Sequence, residues 1–247
     1  MAKILFRSFA LVVLLGGVAN AADLPIGVPV SPPGILVPTT WAGPYVGLNL
    51  GGRWLIDQVS TTNLPTGASS SGTLNAPGVI GGLQAGYNWQ FANVVAGIEA
   101  DANVLGGPVA SRNVAGVALT NAVRPPGFLL TVRPRLGWAF DHRTLVYATA
   151  GYAFETVQVV DTVNVNLGGP GGPVPTSNVT GRQSGWAAGA GLEYAFSRGA
   201  SAKIEYLYLG LGSINSTLLP LAALNPNVTH KLSDNIVRAG VNFHLGY

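Results

Sequence analysis

From Gly43 onward the chain alternates with a period of two, and one phase of that alternation carries no charge. Successive side chains of a strand point to opposite faces, so such a chain folds as strands with one face free of charge. Eight segments carry the pattern: 43–54, 78–91, 94–104, 127–140, 144–157, 184–197, 201–211 and 233–247. By these bounds the connections run 23, 2, 22, 3, 26, 3 and 21 residues, long and short in strict turn. A soluble sandwich has no reason to keep that rhythm. A transmembrane barrel does, with short periplasmic turns, long external loops and an even number of strands. The fold expected is all-β, an eight-stranded antiparallel transmembrane up-and-down β-barrel with four long external loops.

Composition narrows the choice in the same direction. Charged residues make up 9% of the 247, against about 25% in ordinary soluble domains. Hydrophobic residues make up 48%, and mean hydropathy is +0.37. The longest apolar run, Phe9 to Val18, falls short of the roughly 20 residues of a spanning helix. That run instead reads as the core of an export signal: Lys3 and Arg7 precede it, and Ala19-Asn20-Ala21 offers a small-residue cleavage site. Residues 1–21 are therefore expected to be a signal peptide. Residues 22–40, with five prolines and no hydrophobic period, are expected to be an extended periplasmic tether. The barrel is expected to occupy 41–247. Without Lys3 and Arg7, eleven basic residues face ten acidic ones and no Lys/Arg cluster is present, so nothing marks a nucleic-acid partner. Cys 0 removes disulfides and thiolate sites.

The two phases differ in kind. The uncharged one runs through Val46, Leu48, Leu50 and Trp54 to Val237, Val241 and Phe243. Its aromatic residues Tyr87, Trp89, Phe91, Trp138, Phe140, Tyr194, Phe196 and Phe243 fall near the short-turn ends of their strands, where an interfacial girdle belongs. The opposite phase holds Arg53, Arg133, Arg135, Lys203 and Arg238 with Glu99, Asp101, Glu155, Glu193 and Glu205, interleaved with glycines. A charge on the lipid face costs roughly 2–4 kcal/mol at the midplane, so these ten are expected to turn inward as a balanced ion-pair network. An eight-stranded lumen is only wide enough for side chains. The network reads either as a structural ion-pair core or as a polar plug that can open a narrow path. Pro134 interrupts the fourth segment and is expected to force a bulge or kink.

WAGPYVGLNLGGRW (Trp41 to Trp54), GLQAGYNWQF with the following VVAGIEAD, RLGWAF (Arg135 to Phe140), YATAGYAF (Tyr147 to Phe154) and the terminal VRAGVNFHLGY resemble the small outer-membrane surface antigens of alphaproteobacteria. These are porin-family or opacity-protein-like barrels, similar in architecture to the OmpA membrane domain. The resemblance covers 41–247. It implies outer-membrane lipids and lipopolysaccharide as surroundings. It also implies recognition by the barrel assembly machinery through a C-terminal aromatic, here Tyr247 where relatives usually carry phenylalanine. The loops are poor in charge, and their ligand, from host or environment, is not written in them.

Three functions follow. The first is a surface protein that supports the envelope and presents its loops. The second is a narrow channel for ions or small solutes. The third is a lipid-modifying enzyme built on His230, placed by the sequence in the last external loop, with the nearby Ser233 and Asp234. That trio has no spacing beyond proximity, no two histidines share metal-ligand spacing, and no catalytic residue, metal or cofactor is expected.

Overall fold

The computed structural model describes residues 40–63, 69–114, 119–124, 127–140, 142–163, 176–217 and 226–245. The expected signal peptide, the tether up to residue 39 and Tyr247 lie outside the described residues.

The described residues form ten strands: β1 (Gly43–Asn63), β2 (Ser69–Phe91), β3 (Val94–Gly106), β4 (Ala110–Val114), β5 (Leu119–Arg124), β6 (Gly127–Phe140), β7 (Thr144–Val163), β8 (Thr176–Ala195), β9 (Ala200–Thr217) and β10 (Pro226–His244). Eight of them close the barrel. The antiparallel ladder runs β1-β2-β3-β6-β7-β8-β9-β10, and β10 pairs back onto β1 from Tyr45↔His244 to Asn63↔Pro226. The other two prolong that ring: β4 pairs with β5, and β5 with the far end of β7, beyond the point where β3 and β6 end.

The strands outrun their sequence signature. β1 continues nine residues past Trp54, and β7, β8 and β10 reach 19 or 20 residues where a membrane crossing needs about 9–11. The reason is backbone pairing. Past the apolar band the outward positions are mostly Ser, Thr, Asn and Gln, which keep the ladder bonds but lose the hydrophobic alternation that marks a strand.

Pro134 forces no bulge. Residue pairing between β6 and β7 keeps one register from Leu129↔Glu155 through Arg135↔Thr149, and the ladder lapses only at Arg133 and Pro134. The proline carbonyl instead accepts a hydrogen bond from Thr149 Oγ1 at 2.9 Å, which satisfies the group that the missing ladder would have held. The irregularity lies elsewhere, between Lys231 and Ser233, where β9 supplies Leu211 and Gly212 against Leu232 alone. Gly212 has φ +77°, a conformation that suits glycine.

The outward face carries the uncharged phase. Leu50, Phe91, Val104, Leu83 and Leu136 are the most open of these side chains, at 62–70% of their surface. Tyr87, Trp89, Phe91, Trp138, Phe140, Tyr194, Phe196 and Phe243 all stand outward near the short-turn end. A second ring that sequence reasoning did not single out stands some ten residues along: Trp54, Phe128, Tyr152 and Trp186. Ten residues of tilted strand rise roughly 25 Å, the height of a lipid-facing band.

Inside, glycines admit aromatic rings. A Cβ on Gly86 would strike the Tyr45 phenol, and one on Gly191 would lie 2.5 Å from the Tyr147 ring. Gly86→Val is therefore expected to cost about 1–3 kcal/mol by overpacking. Gly52, whose nearest neighbour is the Trp54 ring at 3.5 Å, is expected to accept Val at little cost. Urea unfolding of the two variants in lipid vesicles, followed by heat-modifiable gel mobility, measures the difference.

Candidate functional site: the barrel interior

The alternation places all ten sequence-predicted charged residues in the lumen, none more than 6% exposed. They do not form one set. Arg133, Arg135, Lys203 and Arg238 gather with Glu99, Asp101, Glu193 and Glu205 at mid-height, four cations on four carboxylates.

Arg133 is the hub. Its guanidinium donates to Glu99 at 2.9 Å, to Asp101 at 2.8 Å and to Glu205 at 3.3 Å. Glu99 and Arg133 are register partners on β3 and β6, so this contact is made directly between neighbouring strands. Arg238 reaches across the lumen to Asp101 (3.1 Å) and also holds Glu205 (2.6 Å), its register partner on β9, and Lys203 Nζ holds Glu99 at 2.9 Å.

Arg135 binds differently. Its guanidinium carbon lies 4.9 Å from the Tyr45 ring centre and 5.0 Å from that of Tyr147, so two aromatic faces sandwich it. The same guanidinium reaches Glu193 at 3.2 Å and Asn88 at 2.9 Å. The two phenols then donate to the acids beside it, Tyr45 to Glu99 (2.8 Å) and Tyr147 to Glu205 (3.0 Å). Neutral donors complete the carboxylates: Thr131 on Asp101 at 2.6 Å, and Ser201 and Asn242 on Glu193 at 2.5 and 2.6 Å. Asn103 also donates to Asp101. Sequence reasoning missed both tyrosines; their inward parity relative to Asn49 and Glu155 was the available signal.

A second group stands higher. Arg53 Nη2 contacts Glu155 at 2.7 Å and Asp234 at 2.6 Å, one cation between two carboxylates. Above it the His230 Nδ1–H donates to Asp57 at 2.7 Å, both side chains buried. Asp57, Asp234 and His230 were not expected in the lumen. With them, the described interior holds five Lys/Arg and seven Asp/Glu, so the expected five-to-five balance is corrected. For two of them the cause is strand length: β1 runs past Trp54 and β10 begins at Pro226, which carries Asp57 and His230 from expected loops onto the inward phase, whereas Asp234 stands in the last expected segment and shares the inward parity of Arg238.

The same placement dissolves the catalytic trio. His230 and Asp234 face the lumen, whereas Ser233 takes the outward phase between them and lines a surface cavity. Their alternation keeps a hydroxyl nucleophile from meeting its base. Among the described residues no group of three His, Cys, Asp or Glu is arranged to hold a metal.

Apolar layers bracket the charges. Trp41, Val95, Ala139, Leu145 and Ala195 close the short-turn end. Leu55, Ile80, Leu105, Leu129, Leu207, Leu209 and Ile236 pack around and above the Arg53 group. The lumen is a stack of apolar floor, charged waist and apolar cap, less polar than the sequence pattern implied.

A closed ring of antiparallel strands with a charge-free outer band and a charged, filled interior defines an outer-membrane β-barrel. The chain belongs to the outer membrane protein beta-barrel domain family, whose model matches residues 8–244. Among curated relatives, the 31 kDa outer-membrane immunogenic protein of Brucella melitensis is 35% identical over 236 residues, covering 91% of this chain and 92% of that one. The 22 kDa outer membrane protein of Rhizobium leguminosarum is 30% identical over 69% of this chain and 66% of its own. Among solved structures, the outer membrane protein OprG of Pseudomonas aeruginosa shares the fold at a TM-score of 0.50 and 14% identity, over 83% of this chain and 97% of that one. The protein is located in the outer membrane of a Gram-negative cell.

The two charge groups differ in what they lose on neutralisation. Arg133→Met leaves Glu99, Asp101 and Glu205 short of a cation and is expected to cost about 3–5 kcal/mol, against less than about 0.5 for Arg143→Met on an exposed turn. Asp234→Asn removes the carboxylate in excess around Arg53 and is expected to cost less than Asp101→Asn in the balanced group. Equilibrium unfolding of the four variants ranks them.

Proposed function

We propose that the protein is a structural and surface component of the outer membrane, supporting envelope integrity and presenting its external end to the environment. The filled lumen carries this reading. Arg133, Arg238 and Glu205 interlock at mid-height with at most 1% of their surface open, between two apolar layers. Moving an ion through that stack would separate buried partners that each cost several kcal/mol to leave unpaired. The eight-stranded diameter adds no spare width.

Outer-membrane lipids and lipopolysaccharide are its surroundings in this reading, and the barrel assembly machinery inserts it through the C-terminal segment ending at Tyr247. Residues 1–21 serve as the export signal and 22–40 as a tether. The ten lumen charges act as the barrel's core, and the eight short-turn aromatics anchor it at the inner boundary. The relatives' description as immunogenic agrees with exposed external segments.

Planar-bilayer recording tests the reading against a channel. The refolded barrel, with folding verified by heat-modifiable mobility, is expected to give no steady conductance. A conductance that disappears on changing Arg133 and Arg135 together would overturn it. Replacing residues 164–175 by a short turn is expected to preserve folding while abolishing recognition by sera raised against whole cells.

A further inference from the structure

Two cavities lie one above the other on the outer surface of β8, β9 and β10. The upper, about 480 Å3, is walled by Trp186 and Tyr208, whose rings meet at 5.3 Å and 43°, with Ser184, Ser233, Gln58 and Lys231 along its polar side. The lower, about 350 Å3, is lined by Ala190, Leu192, Ile204, Tyr206 and Val237 and is almost wholly apolar. Between them Tyr206 Oη donates to Asn235 at 2.7 Å.

The upper cavity is built into the backbone. The Leu211–Gly212 bulge opposite Leu232 interrupts the regular ladder there. Gly210 leaves room for the Trp186 indole, whose Nε1 would sit 2.7 Å from a Cβ at that position. The indole therefore lies along the sheet beside Tyr208 as an aromatic wall. Its height is that of the second aromatic ring, where the apolar band gives way to polar outward residues.

Charge completes the description. Lys231 and Arg182 are exposed on this face, and no carboxylate stands on the outward phase of β8, β9 or β10 among the described residues. Two unopposed cations, a ring pair and hydroxyls above an apolar groove suit a ligand with phosphate, sugar and acyl chain in that order. Aromatic faces stack on the apolar faces of sugar rings, and lysine and arginine take phosphate.

We propose that this face binds one phosphorylated, acylated saccharide of the outer leaflet, with phosphate at Lys231 and Arg182, a sugar ring on Trp186 and Tyr208, and an acyl chain in the groove between Leu192 and Val237. The proposal rests on the reading of the chain as a surface barrel and gives its lipid contact a place.

Protein purified from the outer membrane, delipidated and titrated with diphosphorylated hexa-acyl lipid A, is read by native mass spectrometry. One lipid per barrel is expected to survive, resistant to competition by phosphatidylglycerol. Lys231→Gln with Arg182→Gln and, separately, Trp186→Ala are each expected to lower retention about tenfold, the scale of one charge-assisted or stacking contact. Phe128→Ala, in the same aromatic ring but on β6, is expected to leave retention unchanged. The charge pair touches only exposed side chains, so it tests the site even where the tryptophan variant folds poorly. Equal retention in all variants overturns the proposal, as does equal competition by phosphatidylglycerol, which would reduce the site to general anion attraction. The envelope role is read separately, from detergent sensitivity of a deletion strain, so either can fail without the other.

Discussion

A guanidinium ringed by lipid-facing strands has no bulk water to turn to, and the cost of leaving it unpaired reaches several kcal/mol. The chain meets that constraint with its own acids. Arg133 and Arg238 share Asp101 and Glu205, Lys203 holds Glu99, and Arg135 adds two aromatic faces to its carboxylates. The position of every strand follows from these contacts as much as from the ladder. A one-residue slip of β6 would turn Arg133 and Arg135 to the lipid and leave Glu99 and Asp101 alone.

Much of this was legible because charge labels a face. Within the membrane-crossing stretches an arginine or glutamate can only be inward, so Arg53, Glu99, Asp101 and Arg238 fixed the phase of their strands by themselves. Leucine carries no such label. Leu129, Leu145 and Leu207 sit inside, fully buried, and nothing in their identity distinguishes them from Leu130, Leu136 and Leu192 outside. The apolar floor and cap were therefore invisible, and the lumen looked more polar than it is. The strand extensions were invisible because the outward positions turn polar there, Ser60, Thr62 and Thr73 among them, so the outer face loses the apolar signature even though Val59 and Leu74 stay buried inside. Asp57 and His230 were misplaced into loops by that same loss of contrast.

Layering explains why a barrel this narrow needs both chemistries. Charges at the waist bridge strands far apart in sequence with directional contacts, while leucines and alanines above and below keep water from competing for those contacts. Glycine sets the boundary between them. Gly86 and Gly191 let Tyr45 and Tyr147 lie flat against the wall, so each phenol hydroxyl reaches an acid that also serves a cation.

The span of the charged waist bears on how the molecule is made. Asp101 lies on the third strand of the ring and Arg238 on the last, 137 residues apart, and their contact exists only when β10 has come round to β1. Until that moment Asp101 has Arg133 but lacks the second guanidinium, while Glu205 already holds Arg238 as its register partner on the β9-β10 hairpin. The contact between the third strand and the last thus forms as the seam seals. The ion cluster is a latch whose final tooth is carried by the closing strand, and a barrel left open keeps Asp101 and Arg238 apart on either side of its unsealed seam.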